Sequence, residues 1–321
     1  MSIGSYLPGL FSASLLVFLA YFTSSELVGG LVLHSLILGF LVGQVLKVPK
    51  ALCSGLKFGE KFILNIAIVL MGAGLSLGQV IDLGWSSLIV VFVSILTAGF
   101  VAILVGRLFT LSRNLCILSA VGNAICGASA VAAAAPLLKA RKEEVAISIG
   151  IVNSLGSLWM FVLPILLINT EWLNVQEMSQ WIGATLQAVG QVSGAGYAIS
   201  ESVGELAVTI KLGRVIMLGP ILIILGMLYR QRAGSKIFLP WFITGFLLMM
   251  ISRSLIEWPD AILGYVTLFS KILLALAMTC MGWNMQWADV KESGLSALIF
   301  NLAISLTQIV VTGCCIYYLR F

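Results

Sequence analysis

Two basic residues of this chain lie where a membrane-embedded segment normally carries none. Lys211 and Arg214 fall inside the apolar run 206–229, and a rise of about 1.5 Å per residue places Arg214 about 12 Å from its start. A charge at that depth costs about 2.5–3.5 kcal/mol, so it is usually functional or paired. The spacing of three residues places both side chains on one helix face. We interpret them as the cationic end of an anion site; pairing with Glu201 or Glu205, or a later helix start, is the alternative.

Two apolar segments, 115–138 and 181–200, are interrupted by glycine and small polar residues. Irregular backbone of this kind allows a transporter to expose helix N-termini to a substrate, and freed N–H groups there favour anionic oxygens. Tight Ala/Gly packing at a bend is the alternative interpretation, and Asn153 either donates to the substrate or bonds across helices. The predicted substrate-binding residues are Asn123, Cys126, Gly127, Ala128, Ser129, Asn153, Gln191, Ser193, Gly194, Lys211 and Arg214.

The composition indicates the class of protein. Of the 321 residues 60% are hydrophobic and 10% charged, whereas soluble domains carry about 25% charged residues. The apolar segments are about 20 residues long, which predicts an all-α polytopic membrane protein and not a β-barrel. The net charge of +5 is spread over loops and does not suggest a nucleic-acid partner.

The chain lacks the residue patterns of common catalytic and metal sites. HExxH, P-loop and CxxC patterns are absent, and His34 is the only histidine. The three aspartates, Asp82, Asp260 and Asp289, fall in predicted loops. We therefore expect no catalytic residue, no metal and no cofactor, and predict that the protein is not an enzyme.

Hydropathy divides the chain into about 9–11 membrane segments, and no soluble domain fits between them, so residues 1–321 are predicted to form a single transporter domain. The predicted spans are 7–22, 30–46, 62–77, 85–105, 115–138, 145–168, 181–200, 206–229, 237–251, 263–285 and 295–319.

Basic residues orient these spans. One predicted loop holds Lys47, Lys50, Lys57 and Lys61, and another on the same side holds Arg107 and Arg113. By the positive-inside rule both are cytoplasmic, which places the N-terminus inside. The rule also favours broken segments that re-enter from opposite faces, because full crossing would place Lys139, Arg141 and Lys142 outside and Glu171 and Glu177 inside. Half-helices that cross remain the alternative.

The chain also contains an internal repeat. Residues 61–90 align without gaps on 271–300, with ten identical pairs among thirty. A weaker match pairs residues 121–123 with 189–191, and 144–149 with 205–210. In the re-entrant arrangement each matched pair has opposite orientation, and inverted repeats that meet at broken helices are typical of secondary transporters. The order of the matched units differs between the halves, so the second half looks permuted.

Three stretches resemble one known family: residues 122–130 (GNAICGASA), residues 211–215 (KLGRV) and the helix around 277–282. They are similar to the bacterial inner-membrane family named for YeiH, whose members carry the name of sulfate exporters. The resemblance covers nearly the whole chain. It implies a relationship to bile-acid/sodium symporters, with inverted repeats, a mobile core, a scaffold panel and elevator-type movement.

These observations together predict a secondary transporter that moves sulfate, sulfite or an organosulfonate across the bacterial inner membrane by alternating access. H⁺ or Na⁺ would serve as the coupling ion, the lipid bilayer surrounds the chain, and a homodimer is one expectation because elevator transporters are often dimers. An anion channel on the same scaffold, or transport of another organic anion such as a dicarboxylate, is the alternative.

Overall fold

The computed structural model describes residues 5–26, 30–46, 48–74, 78, 84–106, 108–109, 111–170, 172–229, 241–256, 258–284 and 294–320. Within these ranges all regular structure is helical, as the all-α prediction requires. Five helices are long and apolar enough to cross a membrane: Gly84–Gly106, Lys142–Ile168, Glu201–Leu228, Asp260–Asn284 and Leu295–Tyr318. Shorter apolar helices cover Leu7–Phe22, Leu31–Val45, Ala128–Leu138 and Trp241–Leu255. The chain is therefore a polytopic membrane protein.

The described residues form fifteen α-helices in chain order. They are α1 Leu7–Glu26, α2 Gly30–Val45, α3 Lys50–Phe58, α4 Leu64–Met71, α5 Gly84–Gly106, α6 Arg113–Ala124, α7 Ala128–Leu138, α8 Lys142–Ile168, α9 Val175–Thr185, α10 Val189–Ile199, α11 Glu201–Ile216, α12 Leu218–Leu228, α13 Trp241–Leu255, α14 Asp260–Asn284 and α15 Leu295–Tyr318. A π-helical turn, Gly59–Ile63, joins α3 to α4, and a 3₁₀ turn, Gly72–Gly74, follows α4.

The helices group into two compact units. Unit 1 contains Met1–Asp82, Tyr197–Glu205 and Pro240–Trp287, and unit 2 contains Leu83–Gly196, Leu206–Leu239 and Ala288–Phe321. The single transporter domain stays a prediction, because a division by packing does not decide whether the units act together.

Unit 1 is held together by close backbone approaches at glycine. A Cβ atom on Gly39 of α2 would stand 2.3 Å from the Thr279 carbonyl oxygen of α14, and one on Gly43 would stand 2.5 Å from that of Trp283. A Cβ on Gly245 of α13 would likewise stand 2.8 Å from Val69 of α4. Glycine lets α2 touch α14 backbone to backbone and lets the Val69 side chain of α4 pack against the backbone of α13, as is common between membrane helices.

Two helical stretches of unit 1 run antiparallel and match in their bounds. The Asn284 amide donates to Glu60 (2.7 Å), and the Ser270 hydroxyl donates to the Ala67 carbonyl (2.8 Å). As residue numbers increase along 50–74, the numbers of the contacted residues in α14 decrease, so the two stretches run antiparallel. Adding 210, the offset of the sequence repeat, to the bounds of 50–74 gives 260–284, the bounds of α14.

The structure corrects the predicted loop of basic residues that precedes span 62–77. Lys57 and Lys61 lie on the continuous helical stretch that begins at Lys50, because the π turn carries the helix through Gly59 without a break. Asp260, placed in a loop by the sequence, is the first residue of α14. The predicted span 206–229 begins earlier, at Glu201, and its helix is interrupted at Met217.

In unit 2, α5 and α15 form a second antiparallel pair. The Gln308 amide donates to the Ser94 hydroxyl (2.8 Å), while a Cβ on Gly106 would stand 3.6 Å from the Phe300 ring. The offset of 210 carries the bounds of α5 to 294–316, close to those of α15.

A different offset relates the broken segments of unit 2. Adding 61 to the bounds of α7 gives 189–199, the bounds of α10, and the same offset carries α6 to 174–185, close to α9. The predicted match of 121–123 with 189–191 is therefore wrong by seven residues, because 121–123 precede the first interruption and 189–191 follow the second. The match of 144–149 with 205–210 has the same offset as the helices.

Several residues that carried predictions lie outside the described residues. They are Lys47, Asp82, Arg107, Glu171 and Asp289, together with the predicted span ends at 77, 237 and 285. The orientation of the N-terminus stays a prediction.

Candidate functional site

The first interruption of the helical backbone lies at residues 125–127, between α6 and α7. Ile125 leaves the helix (φ −122°, ψ −88°), and Gly127 has φ +66° and ψ −126°, a conformation that a residue with a Cβ rarely adopts. The sequence predicted a break that included Gly122 and Asn123, and this is corrected: both are helical residues of α6. Gly127 makes the break because it tolerates the reversed backbone.

The second interruption lies at residues 186–188, between α9 and α10. Leu186 is extended (φ −66°, ψ 147°), and the Ala188 N–H donates to the Gln191 side-chain oxygen (2.9 Å). Gln191, Ser193 and Gly194 were predicted at this break but are buried residues of α10. The Ser193 hydroxyl bonds the Val189 carbonyl (3.0 Å). The start of α10 is thus closed by its own Gln191.

Lys211 and Arg214 of α11 bind the carbonyl oxygens that both interruptions expose. The Lys211 ammonium donates to Ile125 and Leu186 (2.6 Å to Leu186), two positions that the offset of 61 makes equivalent. The Arg214 guanidinium donates to the carbonyls of Asn123, Ala124 (2.6 Å), Ala184 (2.6 Å) and Leu186 (3.2 Å). Carbonyls at a helix C-terminus carry partial negative charge, so the two cations neutralise the ends of α6 and α9.

This arrangement differs from the alternative sequence interpretation, in which the two cations pair with Glu201 or Glu205. Lys211 and Arg214 are fully buried, and neither forms a salt bridge with Glu201 or Glu205 in the described part of the chain. A guanidinium has five N–H donors and an ammonium three, and carbonyls take four donors of Arg214 and two of Lys211. Their part in substrate binding stays a prediction, with little donor capacity left for direct contact.

Asn123 connects the two breaks to α15. Its amide nitrogen donates to the Asn301 side chain (2.9 Å), and its side-chain oxygen accepts from Gln187 of the second break (3.1 Å). The Gln308 amide donates to Ser94 and, more weakly, to the Asn123 carbonyl (3.4 Å). All five side chains are buried. The network joins both breaks to α15, and the side-chain oxygens of Gln187 and Gln308 are buried in it without a hydrogen-bond partner among the described residues.

Sequence reasoning missed Gln187, Asn301 and Gln308. The signal for the last two was available: α15 carries Asn301, Ser305, Gln308 and Thr312 at spacings of four, three and four residues, which is one face of a helix. All four are buried. Gln187 had no comparable signal, because its role depends on where the backbone breaks.

The beginning of α7 is the open part of this region. Ser129 is exposed, Cys126, Ala128 and Asn153 are half-buried, and Gly127 is buried between them. The Asn153 side-chain amide makes no hydrogen bond within the described residues, and its oxygen would stand 3.3 Å from a Cβ placed on Gly127. The structure therefore brings together five of the predicted residues, Cys126, Gly127, Ala128, Ser129 and Asn153. The predicted residues of α10 are buried at the second interruption, which Gln191 closes.

Comparison with known proteins agrees with the resemblance expected from the sequence. Residues 8–301 match the family model described as conserved hypothetical protein 698. A UPF0324 membrane protein of Bartonella henselae is 33% identical over 98% of this chain and 92% of its own length. The UPF0324 inner membrane protein YeiH of Escherichia coli K12 is 29% identical over 98% of this chain and 95% of its own.

A UPF0324 membrane protein of Pseudomonas putida is 31% identical over 84% of this chain and 80% of its own length. No solved structure matches the chain. Coverage from near the first residue to near the last means that the interrupted helices and both units belong to the shared region. The chain is a member of the conserved hypothetical protein 698 family, the UPF0324 membrane proteins.

Proposed function

We propose that this protein is a secondary transporter of a small anion, which binds at the beginning of α7. The observation that carries the proposal is the burial of Lys211 and Arg214 against the carbonyl ends of two interrupted helices. A continuous membrane helix needs no such cations, because its backbone groups bond internally. Interruption is therefore maintained at a cost, which indicates a use for the exposed backbone.

The charge of the site favours an anion. Lys211 and Arg214 bond only to carbonyl dipoles in the described part of unit 2, without a carboxylate partner. Full charges without a counter-charge are costly to bury, and a bound anion would supply one through the field even without touching the cations. At α7 the first N–H groups and the free Asn153 amide can donate directly to anionic oxygens.

The size and polarity of these groups support a compact oxyanion, so sulfate, sulfite or an organosulfonate is our first substrate class and a dicarboxylate the second. We propose transport and not catalysis, because amides, hydroxyls and cations line the described breaks without a histidine or carboxylate beside them. The names of relatives that contain "inner membrane protein" support a location in the bacterial inner membrane.

Alternating access is proposed from the paired helices. Residues 50–74 and α14 run antiparallel, as do α5 and α15, and both pairs have the offset of the sequence repeat. Matched helices of opposite direction support an inverted repeat, from which transporters build two equivalent states. An elevator-type movement, a cytoplasmic N-terminus and a homodimeric assembly belong to the same proposal.

The test is anion-dependent thermal stabilisation of the purified full chain in detergent. Sulfate, sulfite, thiosulfate, taurine and succinate are compared on wild type, Asn153→Ala and Asn169→Ala. An anion at 100 times its Kd should stabilise by about 2.7 kcal/mol. We expect one class to stabilise wild type and the Asn169→Ala control, whose amide bonds only the Ile165 carbonyl, and to lose its effect in Asn153→Ala.

Equal stabilisation of both variants would remove the site from α7, and no stabilisation by any anion would overturn the proposal. Counterflow then separates a transporter from a channel. Proteoliposomes loaded with the unlabelled anion should accumulate labelled anion transiently above equilibrium if the carrier exchanges one for the other. A channel equilibrates the label without that excess.

A further inference from the structure

A second polar site lies in unit 1. A small, partly open cavity is bordered by Tyr197, Glu205, Thr267, Ser270 and Lys271. Gly74 completes its wall, where a Cβ would stand 3.7 Å from a Glu205 carboxylate oxygen. Glu205 is half-buried, so the cavity brings an ionisable side chain of α11 against α14.

The charges around this cavity belong to membrane-spanning helices. Lys271 is the twelfth residue of α14, 11 residues after Asp260, which corresponds to about 16 Å along the helix axis. It forms an ion pair with Glu201, one turn before Glu205 on α11. Ionisable residues at such depth are expensive to insert and mark ion or proton pathways by default.

The hydroxyl groups beside Glu205 are oriented as acceptors. The Thr267 hydroxyl donates to the Leu263 carbonyl (2.9 Å), and the Ser270 hydroxyl donates to the Ala67 carbonyl (2.8 Å). Because their protons are committed to the backbone, these oxygens offer lone pairs to the cavity. A carboxylate gains nothing from such neighbours, whereas a protonated carboxyl group can donate to them.

The other charges that face Glu205 make a proton the cation that fits. Glu201 lies on the same helix face, four residues earlier, and its negative charge opposes a second carboxylate so close. Lys271 from α14 partly offsets this, and it would repel a metal cation. Tyr197 contributes a phenol, and the cavity residues of the 50–74 stretch, Met71 and Gly74, carry no charge.

We propose that Glu205 binds and releases the proton that drives anion transport. The carboxylate takes a proton from water on one side of the membrane to become a neutral carboxyl group, and returns it to water on the other side. The inference rests on the proposed function. The inference deepens the proposed function by naming H⁺ as the coupling ion. Helix α11 carries residues of both sites, because Lys211 and Arg214 lie further along the same helix as Glu205.

The experiment measures proton and anion movement together in proteoliposomes. The full chain is reconstituted with a trapped pH-sensitive dye, and gradients of sulfate, sulfite or taurine are imposed on wild type, Glu205→Gln, Glu205→Asp and Glu60→Gln. Glu60 is the matched control, a half-buried glutamate of unit 1 that bonds Asn284 outside the cavity. Labelled-anion counterflow is recorded on the same vesicles.

We expect the anion gradient to change the internal pH for wild type, Glu205→Asp and Glu60→Gln, and the pH change to be lost for Glu205→Gln while counterflow persists. Persistent counterflow shows that the glutamine variant is folded. If Glu205→Gln is inactive in both assays, two other variants test the site. We expect Glu205→Asp to retain the pH change and Thr267→Glu, which places a competing carboxyl group in the cavity, to lose it.

The two proposals fail in different ways. Counterflow in wild type without a pH change, or an unaltered pH change in Glu205→Gln, overturns the proton site alone. A wild-type response that requires Na⁺ and not H⁺ also overturns it. If wild type moves none of the anions in either assay, the transporter proposal fails and the coupling role fails with it.

Discussion

Replacement of Arg214 by methionine should destabilise unit 2 strongly. The change keeps a long apolar stem but removes four hydrogen bonds, to the carbonyls of Asn123, Ala124, Ala184 and Leu186. The change does not leave all four carbonyl oxygens without a hydrogen-bond donor. Leu186 keeps Lys211, Asn123 keeps the weak bond from Gln308, and Ala184 keeps the Ser94 hydroxyl.

The magnitude follows from this count. At a net value of about 1 kcal/mol per hydrogen bond, four bonds amount to about 4 kcal/mol, and the charge on the guanidinium raises the figure. Removal of one member of a buried charged network typically costs about 3–5 kcal/mol. We therefore expect a loss of about 4 kcal/mol, close to a thousandfold in the unfolding equilibrium constant.

Equilibrium unfolding in mixed micelles of dodecyl maltoside and SDS, followed by tryptophan fluorescence, measures this loss. Arg141→Met is the control, because that side chain is 72% exposed and bonds Glu144 at the start of α8, and an exposed pair contributes about 0.2–1 kcal/mol. Arg214→Lys should fall between, since an ammonium offers three donors.

A loss for Arg214→Met within about 1 kcal/mol of the Arg141→Met value would refute the reasoning. It would mean that the carbonyl ends of α6 and α9 find other partners, and that Arg214 is held for a ligand and not for the breaks.

Glycine substitutions test the reversed backbone at Gly127 and the close packing of Gly282 on α14 against α2. Gly127→Ala forces a side chain into φ +66° and should lower the free energy of unfolding by about 1–3 kcal/mol. Gly213→Ala on α11, whose Cβ meets nothing within 4 Å, should raise it by up to about 1 kcal/mol through helix propensity. Both are measured by the same micelle titration. Gly282→Ala places a Cβ 2.4 Å from the Leu36 carbonyl and should cost about 1–3 kcal/mol by overpacking, while Gly264→Ala on the same helix meets nothing within 4 Å and should not destabilise. Equal free energies of unfolding within either pair would contradict the packing described.

The sequence was most informative where the membrane makes a rule strict. Apolar length identified the five helices that are long enough to cross a membrane, and the cost of buried charge singled out Lys211 and Arg214, because neither signal depends on tertiary contacts. The offset of 210 was also readable from the sequence, which has ten identities in thirty aligned residues.

The partners of those charges could not be read from the sequence. Carboxylates were the natural candidates, but the carbonyls of Asn123, Ala124 and Ala184 are backbone groups that any sequence provides. They become acceptors only because the helix ends there. The break positions were misplaced for a related reason: several small residues could have reversed the chain, and only the structure shows that Gly127 does.

The glutamate cavity was missed because hydropathy treated Glu201 and Glu205 as residues outside the span. A helix that begins at Glu201 brings them into it. The sequence showed Lys271 only as a member of the repeat. Its role could not be read because its partner, Glu201, lies 70 residues earlier in the chain.

The separation in sequence of matched helices has a consequence for how the protein is made. α2 is complete by Val45, but the α14 backbone against which Gly39 and Gly43 pack follows more than two hundred residues later. At about 5–20 residues per second, synthesis of that interval takes about 10–40 s. During this time the glycine face of α2 can be covered only by lipid, by helices made before α14 or by the insertion machinery. Biogenesis therefore requires that the first helices wait in the membrane without mispairing, and α14 and α15 complete both units late.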